Sequence, residues 1–397
     1  MLRLFSSIVF ILIFLNSCSL LQLPQHNRYT SISEDAAYEK LFSDKHDVIA
    51  IKPVTINKTD FSSLKFEHSK LAYADLSFNR FNNSNFQHTE LNDIIFHASE
   101  MLAADFSHAT LTNIDFSGTD LTGAIFKNTT LINVKFNGAN LAHSIFQNAT
   151  IHNSNLLHVS FKDAKILNTQ FDLCQLRNSN FSYAKIESVN FLTSKLKGTI
   201  FIDSKLRYVQ FTNVDFENAN LENATLDYIR FINSNLVNFK AKNSTFINSN
   251  FQNNKAIGIR LLNSNILNSS FDNTDMRESL LEETQFVNVT MRYVNLELSK
   301  VNFATLDGVD LTGANLSRAN FKRASLIKSN LADTSNKWTS FIMADLNSAS
   351  FENADIHKAD FRGADLNNTN FRNIKNIKFA IGFDKANNYT SSKSFNK

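Results

Sequence analysis

Three of the ten histidines, His68, His88 and His108, recur at one constant spacing, twenty positions from each to the next. If a repeat of that length puts them on neighbouring turns of one scaffold, their imidazoles lie about 5 Å apart, the spacing of adjacent strands. Such a row could share a soft ion, Zn²⁺ or Cu²⁺, through its ring nitrogens. It could also form a pH-responsive patch, because neighbouring imidazolium charges repel. The plainer alternative is that histidine tolerates one backbone conformation, as Asn128, Asn148 and Asn168 do further along the same series. Tyr208 and Tyr228 continue that series, while Lys165, Lys185 and Lys205 form a second one with Arg207 beside it. Together they make a mixed basic and aromatic surface, either a contact for a protein or glycan partner or an ordinary solvated face.

What must position these residues is a repeat of five. The stretch "IDFSGTDLTGAIFKN", residues 114–128, carries Phe116, Leu121 and Phe126. A helix would bury a residue every three or four positions and a strand every two. From Phe61 to Phe371 the same register holds 63 positions: 27 Phe, 24 Leu, five Ile, three Met, one Val, and the exceptions Ala241, Ala256 and Asn336. We call this position the centre. No insertion breaks the register between Phe61 and Phe371. Two residues before each centre the side chain is nearly always small or β-branched, as at Ala104, Ile114 and Thr119, so both positions face inward. Cys174 falls in that small slot and reads as a buried small hydrophobe. Two residues after each centre stand eight of the nine glycines and 23 asparagines. These residue types best tolerate positive φ, so a left-handed corner recurs every five residues.

The units Ala314-Asn315-Leu316, Ala319-Asn320-Phe321, Ala354-Asp355-Ile356, Ala359-Asp360-Phe361 and Ala364-Asp365-Leu366 resemble the motif of the pentapeptide-repeat family. The resemblance implies an all-β solenoid, a right-handed quadrilateral β-helix with four pentapeptides per coil. Shared four to a coil, the 63 centres make about 16 coils. Each residue should then stack on the one four pentapeptides away. The centres 171, 191, 211, 231, 251 and 271 are all Phe, and the centres 71, 91, 111 and 131 are all Leu. At about 4.8 Å per coil the rod is roughly 75 Å long. Two flaws stand out. Phe239 and Ala241 trade large for small, and Asn254 and Ala256 follow, so a local bulge or bend is expected within 238–259. Asn336 occupies a centre and needs buried partners or water.

Residues 1–17 read as an export signal, with Arg3 before the apolar run from Ile8 to Leu15. Leu15-Asn16-Ser17-Cys18 resembles the bacterial lipobox. That resemblance implies cleavage before Cys18 and a covalent diacylglycerol on its sulfur. Ser19, not being Asp, implies passage to the outer membrane. Lipidation would leave Cys174, the other cysteine, without a disulfide partner. Residues 18–47 read as a lipidated tether and a short capping helix, Ser33 to Phe42, and residues 48–378 as the β-helix. Residues 379–397 read as a C-terminal tail, its first apolar residues helping to cover the last coil.

The sequence contains no nucleophile–base–acid set and no glycine-rich phosphate loop, so no enzyme is expected. No cofactor is expected beyond the lipid on Cys18 and the zinc the histidine row could hold. The reading is a non-enzymatic, lipid-anchored envelope rod for scaffolding or contact with a protein, glycan or surface. Two alternatives come from the family. One is a secreted effector acting at host membranes. The other is a DNA mimic that modulates type II topoisomerases, but such members are acidic and cytoplasmic. A net charge of +3 and an export signal argue against it and against a nucleic-acid partner.

Overall fold

The corner is the element from which the rest is built. Every fifth residue from Lys58 to Asn373 has left-handed backbone, with φ between 47° and 63° for side-chain-bearing residues and 66° to 72° for the glycines. A computed structural model describes Thr30, Ser31, Ala36 and residues 54–388. Within 54–388 each short extended piece between corners pairs in parallel with the piece four pentapeptides on, from Asp60–Arg80 to Asp355–Lys375. Four pieces therefore close one coil, and the coils stack into a parallel β-helix.

Two of the four sides carry continuous ladders. One stacks ten strands, from Val54–Thr55 to Arg230–Ile232, and the next stacks nine, from Ile125–Lys127 to Gln285–Val287. These ladders run from Val54 to Val287, about 12 turns, against the 16 coils expected. Beyond Val287 the same stagger continues, but each side contributes one bridge rather than a three-residue strand. There every side is a turn followed by a single paired residue, which leaves too little extended backbone for a strand.

The centres fill the interior. Every one from Phe61 to Phe371 is buried. Like stacks on like: Phe171 and Phe191 lie 4.9 Å apart between ring centroids at 11°, and Phe251 and Phe271 4.5 Å apart at 6°. Offset stacks of this kind add to the burial of each ring. Serines and threonines in the small slot return their hydroxyl hydrogens to the coil before. Ser84 Oγ donates to the Phe61 carbonyl at 2.7 Å, and Thr119 Oγ1 to that of Phe96 at 2.8 Å. The pentad Asp and Asn residues close the turn they begin. The Asp115 carboxylate accepts from the Ser117 amide at 2.8 Å, and that of Asp365 from the Asn367 amide at 3.0 Å.

The bulge expected within 238–259 is absent. Phe239 and Ala241 are both fully buried, and Lys240 keeps parallel bridges to Asn220 and Arg260. The exchange conserves interior volume, because Phe239 leans on Phe216 and Phe231 at 5.7 and 6.1 Å while Ala241 yields the space. Asn254 needs no bend either. Its amide donates to the carbonyls of Phe231 and Phe251, both at 2.9 Å, and its Oδ1 accepts from the Ser234 amide at 2.7 Å.

At the N-terminal edge Thr30–Ser31 pairs in parallel with Thr59–Asp60. Ala36 is helical; the rest of the helix expected from Ser33 to Phe42 lies outside the described residues. At the other edge the coil pattern runs past residue 378, where the tail was expected to begin. Ile381 pairs with Asp360 and Asn387 with Asp365. The 3-10 turns Ile377–Phe379 and Phe383–Lys385 lengthen these last two spacings, the first by one residue and the second by two. Phe383 seats its ring edge on Phe361 and Phe371, closing the core.

Cys174 lies in its small slot, fully buried, with its thiol 3.4 Å from the Ile151 carbonyl. Burial pushes the thiol up to about 12, so it stays protonated and unreactive in the folded rod. Asn336 is the one polar centre. Its Nδ2 donates to Thr334 Oγ1 at 2.7 Å, but its buried Oδ1 has no partner. Replacing it should therefore stabilise the rod. Asn336→Leu is expected to gain about 1–3 kcal/mol, the cost of an unpaired buried acceptor, and to raise the melting temperature measured by circular dichroism. A lower melting temperature would show that Asn336 contributes something the leucine cannot.

Candidate interaction surfaces

The solenoid turns sequence spacing into columns. Corner residues project outward, and one coil's corner lies over the last. Asparagine columns bond along their length, as where Asn148 donates to Asn128 at 2.9 Å and Asn168 to Asn148 at 3.2 Å.

His68, His88 and His108 are brought together as expected of one column. Their rings stack with centroids 4.8 and 4.6 Å apart and planes within 10° and 9° of parallel. Parallel rings aim their nitrogen lone pairs side by side rather than at a common point. Among the described residues no group of three or more His, Cys, Asp and Glu side chains is arranged to hold a metal ion. Asn128 Nδ2 sits 3.3 Å from His108 Nε2, so the histidines continue into the asparagine ladder.

Tyr208 and Tyr228 also stack, 4.9 Å apart at 24°. The Arg207 guanidinium lies 4.7 Å from the Tyr208 ring centroid and 3.4 Å from the Asp227 carboxylate. Lys165, Lys185 and Lys205 are consecutive partners of one parallel ladder. Lys185 reaches Glu187 at 3.6 Å, so part of the basic column is neutralised locally. The structure thus joins all six residues into one exposed region two to four coils long. Cys18 lies outside the described residues.

A second set of outward residues escaped the sequence reading. Leu298, Phe303, Trp338 and Met343 occupy corners and are about half exposed. Arg318 and Lys358, from the coils below and above, stand 5.6 and 5.4 Å from the Trp338 ring centroid, and Arg323 stands 5.7 Å from that of Phe303. The signal was available, because these residues fall on the same corner register as the histidines.

Models of pentapeptide repeats match residues 59–97, 99–138, 194–223, 304–335 and 337–373, and a pentapeptide repeat region model matches residues 124–201. Together these segments cover more than half of the chain. The chain belongs to the pentapeptide-repeat family. Among solved structures it is similar to a pentapeptide repeat protein from the Arabidopsis thaliana thylakoid lumen, at 27% identity over 23% of this chain and 64% of that one, with a TM-score of 0.23. It is similar to HetL, involved in heterocyst differentiation regulation in the cyanobacterium Nostoc, at 16% identity over 85% and 97% of the two chains, TM-score 0.26. It is similar also to QnrB1, a plasmid-mediated fluoroquinolone resistance protein, at 19% identity over 50% and 94%, TM-score 0.30. Family membership rests on the repeat models, to which these likenesses add no argument about function. No curated protein is significantly similar in sequence to the chain.

The histidine geometry makes a direct prediction. In a Zn²⁺ titration followed by calorimetry, the variant combining His68→Asn, His88→Asn and His108→Asn should bind as much zinc as the unaltered protein. Tight binding lost only in the variant would show that the rings swing out of the stack to chelate.

Proposed function

We propose that this pentapeptide-repeat protein is a non-enzymatic rod of the bacterial cell envelope. It is held at the outer membrane by lipid on Cys18 and displays fixed columns of side chains to a protein or glycan partner. The observation that carries the rod is the uninterrupted stagger from Asp60 to Lys375, into which no loop is inserted. An unbroken repeat offers long, regular binding surfaces. The anchor is supported by Leu15-Asn16-Ser17-Cys18 at the end of an apolar run. More than one acyl chain on that cysteine would hold the rod stably, where one chain alone is marginal. The region of Tyr208, Tyr228, Arg207 and the lysine column is the partner contact within this reading, because it combines stacked exposed aromatics with cations.

Growing cells with a labelled fatty acid tests the anchor. The unaltered protein should carry label and sediment with membranes, and Cys18→Ser should lose both. A Cys18→Ser protein that is still labelled, or an unaltered protein without label, would contradict the proposal.

A further inference from the structure

One side of the square coil bears three consecutive rows of contrasting character in the C-terminal half. Parallel bridges Leu280–Lys300 and Lys300–Asn320 fix these rows one above the other. The first row is acidic: Glu278, Glu282 and Glu283. The second presents Leu298 and Phe303, 48% and 51% exposed, with Lys300 exposed between them. The third is basic: Arg318, Lys322 and Arg323. Each acid stands two coils before one base, so acid and base occupy the same lateral position on either side of the apolar row.

Some charges on neighbouring coils are paired within the chain. Arg277 holds Asp275 at 2.8 Å, Arg292 holds Asp272 at 2.6 Å, and Arg362 holds Asp360 at 2.6 Å. Among the described residues, the six charged side chains of these two rows form no ion pair with one another or with a neighbour. One carboxylate oxygen of Glu282 is shielded and has no hydrogen-bond partner. Acid and base cannot meet within one chain, because a whole coil separates them.

We propose that this side is the interface of an antiparallel homodimer. Its two-fold axis lies across the side along the row of Leu298 and Phe303. Rotation about that axis sends each row to the row equally far on the other side and leaves lateral position unchanged. Glu278 then meets the partner's Arg318, Glu282 the partner's Lys322, and Glu283 the partner's Arg323. Symmetry repeats the three pairs, and Leu298 and Phe303 each meet their own copies at the axis; Lys300 meets its own copy there too, the one like-charge contact within the five rows. The next rows fit as well. Gly258, over which the Asn238 side chain lies, faces the partner's Trp338, and Leu262 faces the partner's Ile342. The match ends one coil further, where Lys242 would meet the partner's Arg362. The contact therefore spans five coils, about 24 Å at strand spacing, and roughly 500 Å² per partner. That area lies at the low end of specific interfaces, so the dimer is reversible and weakens as salt screens its charges.

The test is sedimentation velocity of the full chain carrying Cys18→Ser, which removes any part played by the lipid. This protein should sediment as a concentration-dependent dimer. Two further variants reverse one row each: Glu278→Lys with Glu282→Lys and Glu283→Lys, and Arg318→Glu with Lys322→Glu and Arg323→Glu. Either alone opposes like charges at every pair and should be monomeric, with a melting temperature close to the parent's, because five of the six positions are exposed and half-buried Glu282 has no ion pair to lose. Mixed in equal amounts, the two variants complement each other at all pairs and should return to the dimer. Recovery on mixing cannot arise from misfolding. A monomeric parent, a dimeric single variant, or a mixture that stays monomeric would overturn the proposal.

Discussion

The whole molecule depends on a backbone constraint that one residue in five must meet: a left-handed conformation. An L-residue there crowds its own carbonyl, and only glycine escapes the cost, with asparagine next best. The chain pays that cost at Leu173, Leu298 and Phe303 as well, all at φ between 55° and 62°. Those corners persist because the next coil holds their amides. The Leu298 amide donates to the Ser317 carbonyl at 3.1 Å and the Phe303 amide to the Lys322 carbonyl at 3.1 Å. Local strain is thus held by a ladder that no single corner could form alone, as expected of a solenoid whose stability is shared between neighbours.

Much of this was legible in the sequence because the constraint is strictly periodic. Phe171, Phe191 and Phe211 named their column by recurring once per coil, and Gly118 and Gly123 named the corner by standing two residues after a centre. Other features were not legible, for physical reasons. Whether a side forms a strand or a single bridge depends on how far backbone stays extended between turns, which residue identity at the centre does not set. The bulge expected at Phe239 failed because a large and a small residue exchanged places within one pentapeptide, which conserves volume without moving the backbone. Asn254 looked like a flaw but bonds backbone groups on neighbouring coils through both its amide nitrogen and its oxygen, a role its residue type alone does not announce.

For the surface, the sequence supplied columns but not their geometry. It brought His68, His88 and His108 together without revealing that the rings stack in parallel. The rows around Leu298 were missed because their complementarity lies between copies, not between neighbours in one column. In a rod without inserted loops, function must be carried by such arrangements of outward residues. On the readings proposed above, the same rigid spacing that makes one side self-complementary makes another, around Tyr208 and Tyr228, a fixed pattern for a different partner.

The central claim is that residues four pentapeptides apart are neighbours and residues three pentapeptides apart are not. Paired nitroxide labels read this directly from the breadth of their electron paramagnetic resonance spectra. In a Cys18→Ser background, labels on Asn148→Cys and Asn168→Cys, one column and one coil apart, should show strong spin exchange. Labels on Asn148→Cys and Asp163→Cys, on adjacent corners, should show little. Strong exchange in the second pair with none in the first would contradict the four-sided coil and everything built on it.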